Sequence, residues 1–319
     1  MQGQQESART PKTRHNAPVH VTGPVPRFSG WLCLSTLLVA APAGAGAWIK
    51  APGDGYAKLG SSSFVSGVAY DDDGVLAATD PFSLRAETIY GYAEVGIAPR
   101  LMLVGYAPWV ASTNQLTGDD GSLAFHTLGF GDAQLGLQFG IVQDAPLVVA
   151  ARADLKVPLY QGAPSIQGRS VVAVDGFPKS AGSFPALGDG QVDLTTSLSV
   201  GASFPFDGFF TWETGYRLRT GDVSDAFVGA GTTGVYFLNR RLLPLLNLAF
   251  VYSLDARKRS DGVATETLGK GYVSTGLACM IMLDEIAQGL ALEVGADLVF
   301  RGRNAAGGVN LQSGISYAF

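Results

Sequence analysis

Asp132-Ala-Gln-Leu-Gly-Leu-Gln-Phe-Gly-Ile141 puts an apolar residue at every second position, with Ala133, Leu135, Leu137, Phe139 and Ile141 alternating against Asp132, Gln134, Gly136, Gln138 and Gly140. A β-strand sends successive side chains to opposite faces, so this stretch has one wholly apolar face and one polar face. Val149–Val157 repeats the pattern. Arg152, Asp154 and Lys156 take one side, and Ala151, Ala153, Leu155 and Val157 the other. Taken alone, two such strands suit either a soluble sheet with one wet face or a wall between lipid and water.

The rest of the chain decides between them. The same alternation runs through Gln191–Val200, Phe210–Arg219 and Leu290–Phe300, and less regular strands cover about 56–65, 85–97, 101–110, 226–238, 245–254 and 271–282. A terminal strand near 309–319 brings the number to about twelve, an even number as bacterial barrels require, with both ends on the periplasmic side. Between the strands, short connections at Ala98–Arg100, Val142–Pro146, Phe204–Gly208, Asn239–Arg241 and Asp284–Gln288 alternate with longer polar ones. These lie near 66–84, 111–124, 159–189, 219–225, 255–270 and 302–308. A soluble sandwich has no reason to sort its loops by end, so the predicted fold is all-β: a transmembrane antiparallel up-and-down β-barrel of about 12 strands. The longest connection, Leu159 to Asp189, is expected either to fold over or into the bore or to lie on the surface as an ordinary loop.

Composition agrees. Charged residues make up 15 % of the chain, against roughly 25 % in soluble domains. The mean hydropathy is +0.20, yet no apolar run downstream of the N-terminal region reaches the ~20 residues that a membrane-spanning helix needs. Outward placement predicts interfacial aromatic girdles, with Phe139, Phe210, Trp212 and Phe319 toward the periplasm and Trp109, Tyr252 and Phe300 toward the outside. Pro108 and Pro158 are expected near the outer ends of their strands.

The one continuous apolar stretch, Trp31–Ala41, follows Arg9, Lys12, Arg14 and Arg27 and precedes Ala43-Gly-Ala-Gly-Ala47. That order is a secretory leader. Ala45 and Ala47 satisfy the small-residue cleavage rule, and the mature start is expected near Trp48, dividing the chain into a cleaved signal peptide over 1–47 and a barrel over 48–319. Cleavage takes basic residues from 22 to 18 and acidic ones from 27 to 26. The resulting charge of about −8 gives nucleic-acid binding no electrostatic support. Only Cys279 remains, so no internal disulfide can form in the oxidising periplasm; its alternation with Leu277 and Ile281 faces it to lipid.

The chain ends Val309-Asn-Leu-Gln-Ser-Gly-Ile-Ser-Tyr-Ala-Phe319. An alternating last strand with Tyr317 and a terminal Phe319 resembles the signal read by the barrel-insertion machinery. Gly129-Phe-Gly-Asp132 and Gly190-Gln-Val-Asp193 are similar to the Gly-x-Gly-Asp and Gly-Gln-x-Asp strand starts of one family, the outer-membrane barrels assigned to the aromatic (phenol) meta-degradation pathway, and Tyr216–Gly221 resembles that family's later hairpin. The resemblance spans most of residues 55–319. It implies a bacterial outer-membrane location and a porin-like channel for passive or facilitated diffusion of small solutes, hydrophobic or aromatic ones included. A non-transporting structural or surface-interaction barrel is the alternative, and a barrel hydrolase a lesser one.

Alternation assigns Lys58, Glu94, Asp132, Arg152, Asp154, Lys156, Asp193, Glu213, Arg217, Arg219, Glu293, Asp297 and Arg301 to the lumen. A charge on the lipid face costs about 2–4 kcal/mol near the midplane, so inward placement follows whatever the function. Such a set is either a charged constriction that selects solutes or a set of salt bridges bracing the wall. An enzyme is not expected: a serine hydrolase needs a histidine beside its nucleophile, and the one histidine after the leader, His126, has no serine at the close spacing barrel phospholipases use. It shares an outer loop with Asp119 and Asp120. Asp71-Asp-Asp-Gly74 lacks the spaced ligands of a calcium loop and reads as a solvated acidic turn. No cofactor or metal is expected. Outer-membrane lipid, the insertion machinery and an unidentified small solute are the expected partners of a monomer.

Overall fold

The structure is a computed structural model that describes residues 46–71, 73–79, 82–118, 121–160, 170–173, 185, 187–188, 190–220, 224–254 and 271–319. The apolar leader stretch, Asp119, Asp120 and most of the 159–189 and 255–270 connections lie outside the described residues. The strands are β1 (Gly55–Tyr70), β2 (Leu76–Ala78), β3 (Phe82–Ala98), β4 (Leu101–Gly118), β5 (Gly121–Phe130), β6 (Asp132–Val142) and β7 (Leu147–Pro158). There follow β8 (Ser170–Ala173), β9 (Asp193–Phe204), β10 (Gly208–Arg219), β11 (Ala226–Val235), β12 (Leu242–Ser253), β13 (Gly271–Met282), β14 (Leu290–Arg303) and β15 (Ala305–Ala318).

Every wall pairing is antiparallel, and β15 pairs with β1 to close a twelve-stranded barrel. Closure satisfies the backbone of every wall strand, which the hydrocarbon core demands. Twelve wall strands result because β5 and β6 are one continuous staple along β4: Trp109–Gly118 pairs with β5, and Leu101–Tyr106 with β6. The break in that ladder falls at Pro108, which has no N–H to donate and whose carbonyl accepts from Gly131 N at 3.0 Å. Pro108 therefore marks an irregularity inside β4 and not the strand's outer end, whereas Pro158 does end β7.

The strands also run further outward than the alternation predicts. β1 continues to Tyr70, β3 begins at Phe82 and β4 reaches Gly118, so much of the expected 66–84 and 111–124 loops is strand. Backbone pairing persists there because a ladder needs no apolar face once it leaves the lipid, and a hydropathy pattern cannot register it. The short connections are tight turns, several using left-handed backbone at Arg100, Asp207, Asn239 and Gly289.

The exposed face carries Leu135, Leu137, Phe139, Leu155, Leu198, Leu246, Leu277 and Leu311. Trp109, Tyr252 and Phe300 lie on this face toward the outside, Phe139, Phe210 and Phe319 toward the periplasm, and Trp212 stacks there on Phe250. Cys279 also lies on it, opposite Pro244 and Val294. Leu137 sits mid-strand between Leu103 and Ala153. Leu137→Arg is expected to destabilise the barrel by about 2–4 kcal/mol, read from denaturant unfolding in vesicles; a cost under about 1 kcal/mol, as near the interfaces, would remove Leu137 from the lipid midplane.

Glycines let large rings lie flat on neighbouring strands. A Cβ at Gly60 would sit 2.3 Å from the ring of its cross-strand partner Tyr90, and one at Gly55 would sit 2.3 Å from the Phe319 ring. The chain ends meet there: Gly55 N donates to Phe319 O at 2.8 Å and Phe319 N to Gly55 O at 3.1 Å.

Candidate functional site

Pairing register fixes which side chains enter the lumen. Along β1 the inward positions are the even ones, and following the ladder around the wall places Lys58, Glu94, Asp132, Arg152, Asp154, Lys156, Asp193, Glu213, Arg217, Arg219, Glu293 and Asp297 on the same side. Arg301 is the exception. A register shift between Val273 and Ser274 sets Arg301 opposite Val273, and it is exposed while Gly302 is buried. A bulge adds one residue and exchanges the faces beyond it, which strict alternation cannot anticipate.

The twelve inward groups fall into three sets. Lys58 Nζ lies 2.9 Å from Glu293 Oε2 and 5.7 Å from the centre of the Tyr90 ring. Asp297, two inward positions further along β14, accepts from Asn310. In the second set Arg152 clasps Asp154 through Nε at 2.8 Å and Nη2 at 2.6 Å, while Glu213 accepts from Ser199 Oγ at 3.0 Å and interacts with Arg152 electrostatically. Glu94 is fully buried; it accepts from the Tyr92 hydroxyl and lies in the field of Lys50 and Arg152. Toward the outer mouth, Lys156 Nζ is 2.7 Å from Asp193 Oδ2 and 3.4 Å from Asp132 Oδ2, and Arg219 Nε is 3.6 Å from the same Asp193 oxygen. Arg217 donates to Thr195 Oγ1 at 3.4 Å.

Inward glycines make room for these carboxylates. A Cβ at Gly136 would fall 2.1 Å from Asp154 Oδ1, and one at Gly276 only 1.7 Å from Asp297 Oδ1. Each carboxylate thus lies across its neighbouring strand. The glycine-rich polar face seen in the sequence is the bed on which the charged groups rest.

Against this charged wall stands an uncharged one. The adjacent strands β11, β12 and β13 carry no Asp, Glu, Lys or Arg on either face. At their periplasmic end Leu243, Leu245, Ala278 and Met280 pack with Phe209 and Ala291 into an apolar layer. Trp48 leans on it, its ring edge-on to Phe209 at 6.4 Å.

Trp48 belongs to a segment the alternation does not reveal. Residues 46–50 run inside the periplasmic end of the barrel, and the exposed residues 51–54 lead from them to β1. Pro52 bridges Gly96 of β3, Ile49 N donates to Gln143 Oε1 at 3.0 Å, and Gln143 and Gln138 donate to the carbonyls of Ala47 and Gly46 at 2.9 and 2.8 Å. Gly201 and Gly140 leave space for the Trp48 and Ile49 side chains. The available sequence signal was a Trp-Ile pair between the leader and the first strand, with a glutamine on the inward face of β6.

In the described part of the 159–189 connection, β8 extends the sheet and Leu187 and Gly188 turn inward. β8 pairs with β5, and Leu187 packs against the inner side of Gly129. Gly188 sits on the Asp132 carboxylate and the Tyr160 hydroxyl, with Tyr160 accepting from Gly190 N at 2.7 Å.

Hydrolytic chemistry has little to work with. His126 Nδ1 meets Thr113 Oγ1 at 2.8 Å, and among the described residues no carboxylate joins them as an orienting third group. Asp71 uses its carboxylate to cap its own turn, accepting from Asp73 N and Val75 N. Among the described residues no cluster of metal-ligating side chains occurs.

No protein-family model matches the chain, and no curated protein matches it. Among solved structures it is similar to an outer membrane channel from Pseudomonas putida F1, at 12 % identity over 85 % of this chain and 97 % of that one, with a TM-score of 0.62. Matches with TM-scores of 0.43 and 0.40 are the KdgM porin in complex with oligogalacturonate (8 % identity, 83 % and 99 % covered) and the TodX monoaromatic hydrocarbon channel (10 % identity, 84 % and 91 % covered). The fold is that of outer-membrane β-barrels.

Proposed function

We propose that this protein is an outer-membrane channel for small, largely uncharged organic solutes with one apolar face. The observation that carries the reading is the two-sided lumen. Three adjacent uncharged strands line one side, and braced ion pairs line the other. A diffusing solute meets hydrogen-bonding groups and apolar surface together, the combination that binds small organic molecules in protein pockets. Seven acidic and five basic inward groups, largely set against one another, leave little net field to sort ions. The charges therefore serve chiefly to brace the wall and to set the polar rim of the path. Lipid surrounds the exposed apolar belt, and the Tyr317–Phe319 end strand serves assembly by the barrel-insertion machinery.

Solute uptake by reconstituted vesicles tests the reading. Neutral aromatic alcohols are expected to enter faster than sugars of equal size, and equal rates would remove the apolar strip from the path. Leu245→Asp on that strip is expected to slow the aromatic solute and leave the sugar unchanged. A second reading, a barrel that does not transport, is favoured by the segment filling the periplasmic end. Planar-bilayer recordings separate the two, because folded protein that never opens fits only the second.

A further inference from the structure

We infer that the outer end of β14 holds the phosphate of a lipid headgroup, and that its occupant is the phosphorylated glycolipid of the outer leaflet. The inference rests on the outer-membrane location and on the orientation that puts the far end of β14 outside. It goes beyond the channel reading, because the site faces the lipid and not the bore.

Among the described residues, the lipid-facing side of the wall strands carries four charged groups: Arg85, Glu87, Arg301 and Arg303. Arg85 and Glu87 neutralise each other, with Nε 2.7 Å from Oε1. Arg301 has no acidic partner among the described residues, and neither β13 nor β15, the strands that flank it, contains an aspartate or glutamate. A charge on this face is costly in hydrocarbon and tolerated only at the interface. An anionic headgroup is the partner that the membrane itself can supply there.

A backbone irregularity creates the position. Leu298 stands opposite Thr275 and Val299 opposite Ser274, and the bulge then inserts Phe300, so that Arg301 meets Val273 and Arg303 meets Gly271, both outward. Without the extra residue both arginines would point into the bore.

Around Gly271 the outward face suits a small anion. Tyr252 of β12 and Arg303 of β14 flank this glycine on its two sides. No side chain lies within 4 Å of a Cβ built at Gly271, so the strip between them is bare. Two strand spacings set the Tyr252 and Arg303 backbones roughly 10 Å apart, room enough for a phosphate between their side chains. Guanidinium forks match phosphate oxygens, and the exposed Tyr252 hydroxyl adds a donor from the far side. Nearer the membrane, Phe300 and Val273 lie beside Arg301, where the acyl chains end. The site therefore fits a phosphate that carries a lipid tail.

Native mass spectrometry of the full chain, delipidated in detergent, tests this by titration with lipid A carrying two phosphates, with the same lipid dephosphorylated, and with phosphatidylglycerol. The phosphorylated form is expected to bind about tenfold tighter than the dephosphorylated one. Arg301→Gln combined with Arg303→Gln should abolish that preference in a barrel that keeps its heat-modifiable migration. Tyr252→Phe should shrink it, and Arg85→Gln combined with Glu87→Gln should leave it intact. Equal affinity for the two forms of lipid A, or a preference that survives the double arginine variant, overturns the site. Phosphatidylglycerol bound as tightly as phosphorylated lipid A overturns the occupant. Sedimentation of the chain away from outer membranes overturns the occupant through its premise, while the titration still reads the phosphate preference.

Discussion

Lys58→Met is expected to destabilise the folded barrel by about 3–5 kcal/mol, the penalty for removing one member of a buried ion pair. Lys58 and Glu293 side chains are 1 % and 4 % exposed, so neither charge can turn to water when the other is lost. The stranded carboxylate would face Asp297 on its own strand and Tyr56 and Tyr90 on the nearby β1 and β3, with no cation at its former distance. Guanidinium unfolding of vesicle-inserted protein, followed by tryptophan fluorescence, measures the loss. Adding Glu293→Met should recover at least half of it, because two methionines leave no buried charge. A single variant within about 0.5 kcal/mol of the parent, the range of ordinary surface substitutions, would mean that water reaches the pair and that this stretch of the bore is wet.

Deleting residues 46–50 is expected to raise single-channel conductance severalfold while leaving a folded, heat-modifiable barrel. The wall closes through β1 and β15 without this segment, so its loss removes contacts only from the inside. Trp48 would leave the apolar layer formed by Phe209, Leu243 and Met280, Ile49 would leave Val148 and Ala150, and Gln138 and Gln143 would face the vacated space. Buried amides accept water readily, so the structural cost is modest, on the order of the 0.5–1.5 kcal/mol of a typical hydrogen bond for each bond lost. Trp48→Ala should give a smaller rise in the same direction. Conductance unchanged by the deletion would place the limiting constriction at Arg152, Glu94 and Glu213, further along the lumen.

These two results depend on features of different legibility. The ion pair was readable as two inward charges, since lipid forbids Lys58 and Glu293 any other face. Their partnership was not, because they stand on strands at opposite ends of the chain that meet only when β15 closes onto β1. Arg301 shows the same limit from the other side. Its parity was right for the regular ladder and wrong for the bulge that precedes it, and a bulge is a backbone event with no hydropathy signature.

By itself, the sequence determined the wall: the two-residue period, the even number of strands, the sorting of short and long connections, and the lipid face. Hydrocarbon permits no other arrangement of a backbone and side chains like these. Tertiary structure alone decided what fills the bore. Residues 46–54 reach strands far away in sequence, and the carboxylates of Asp154 and Asp297 rest on glycines of adjacent strands. Those contacts are long-range and inward, where the lipid imposes no pattern and packing against a distant strand sets which residue fits.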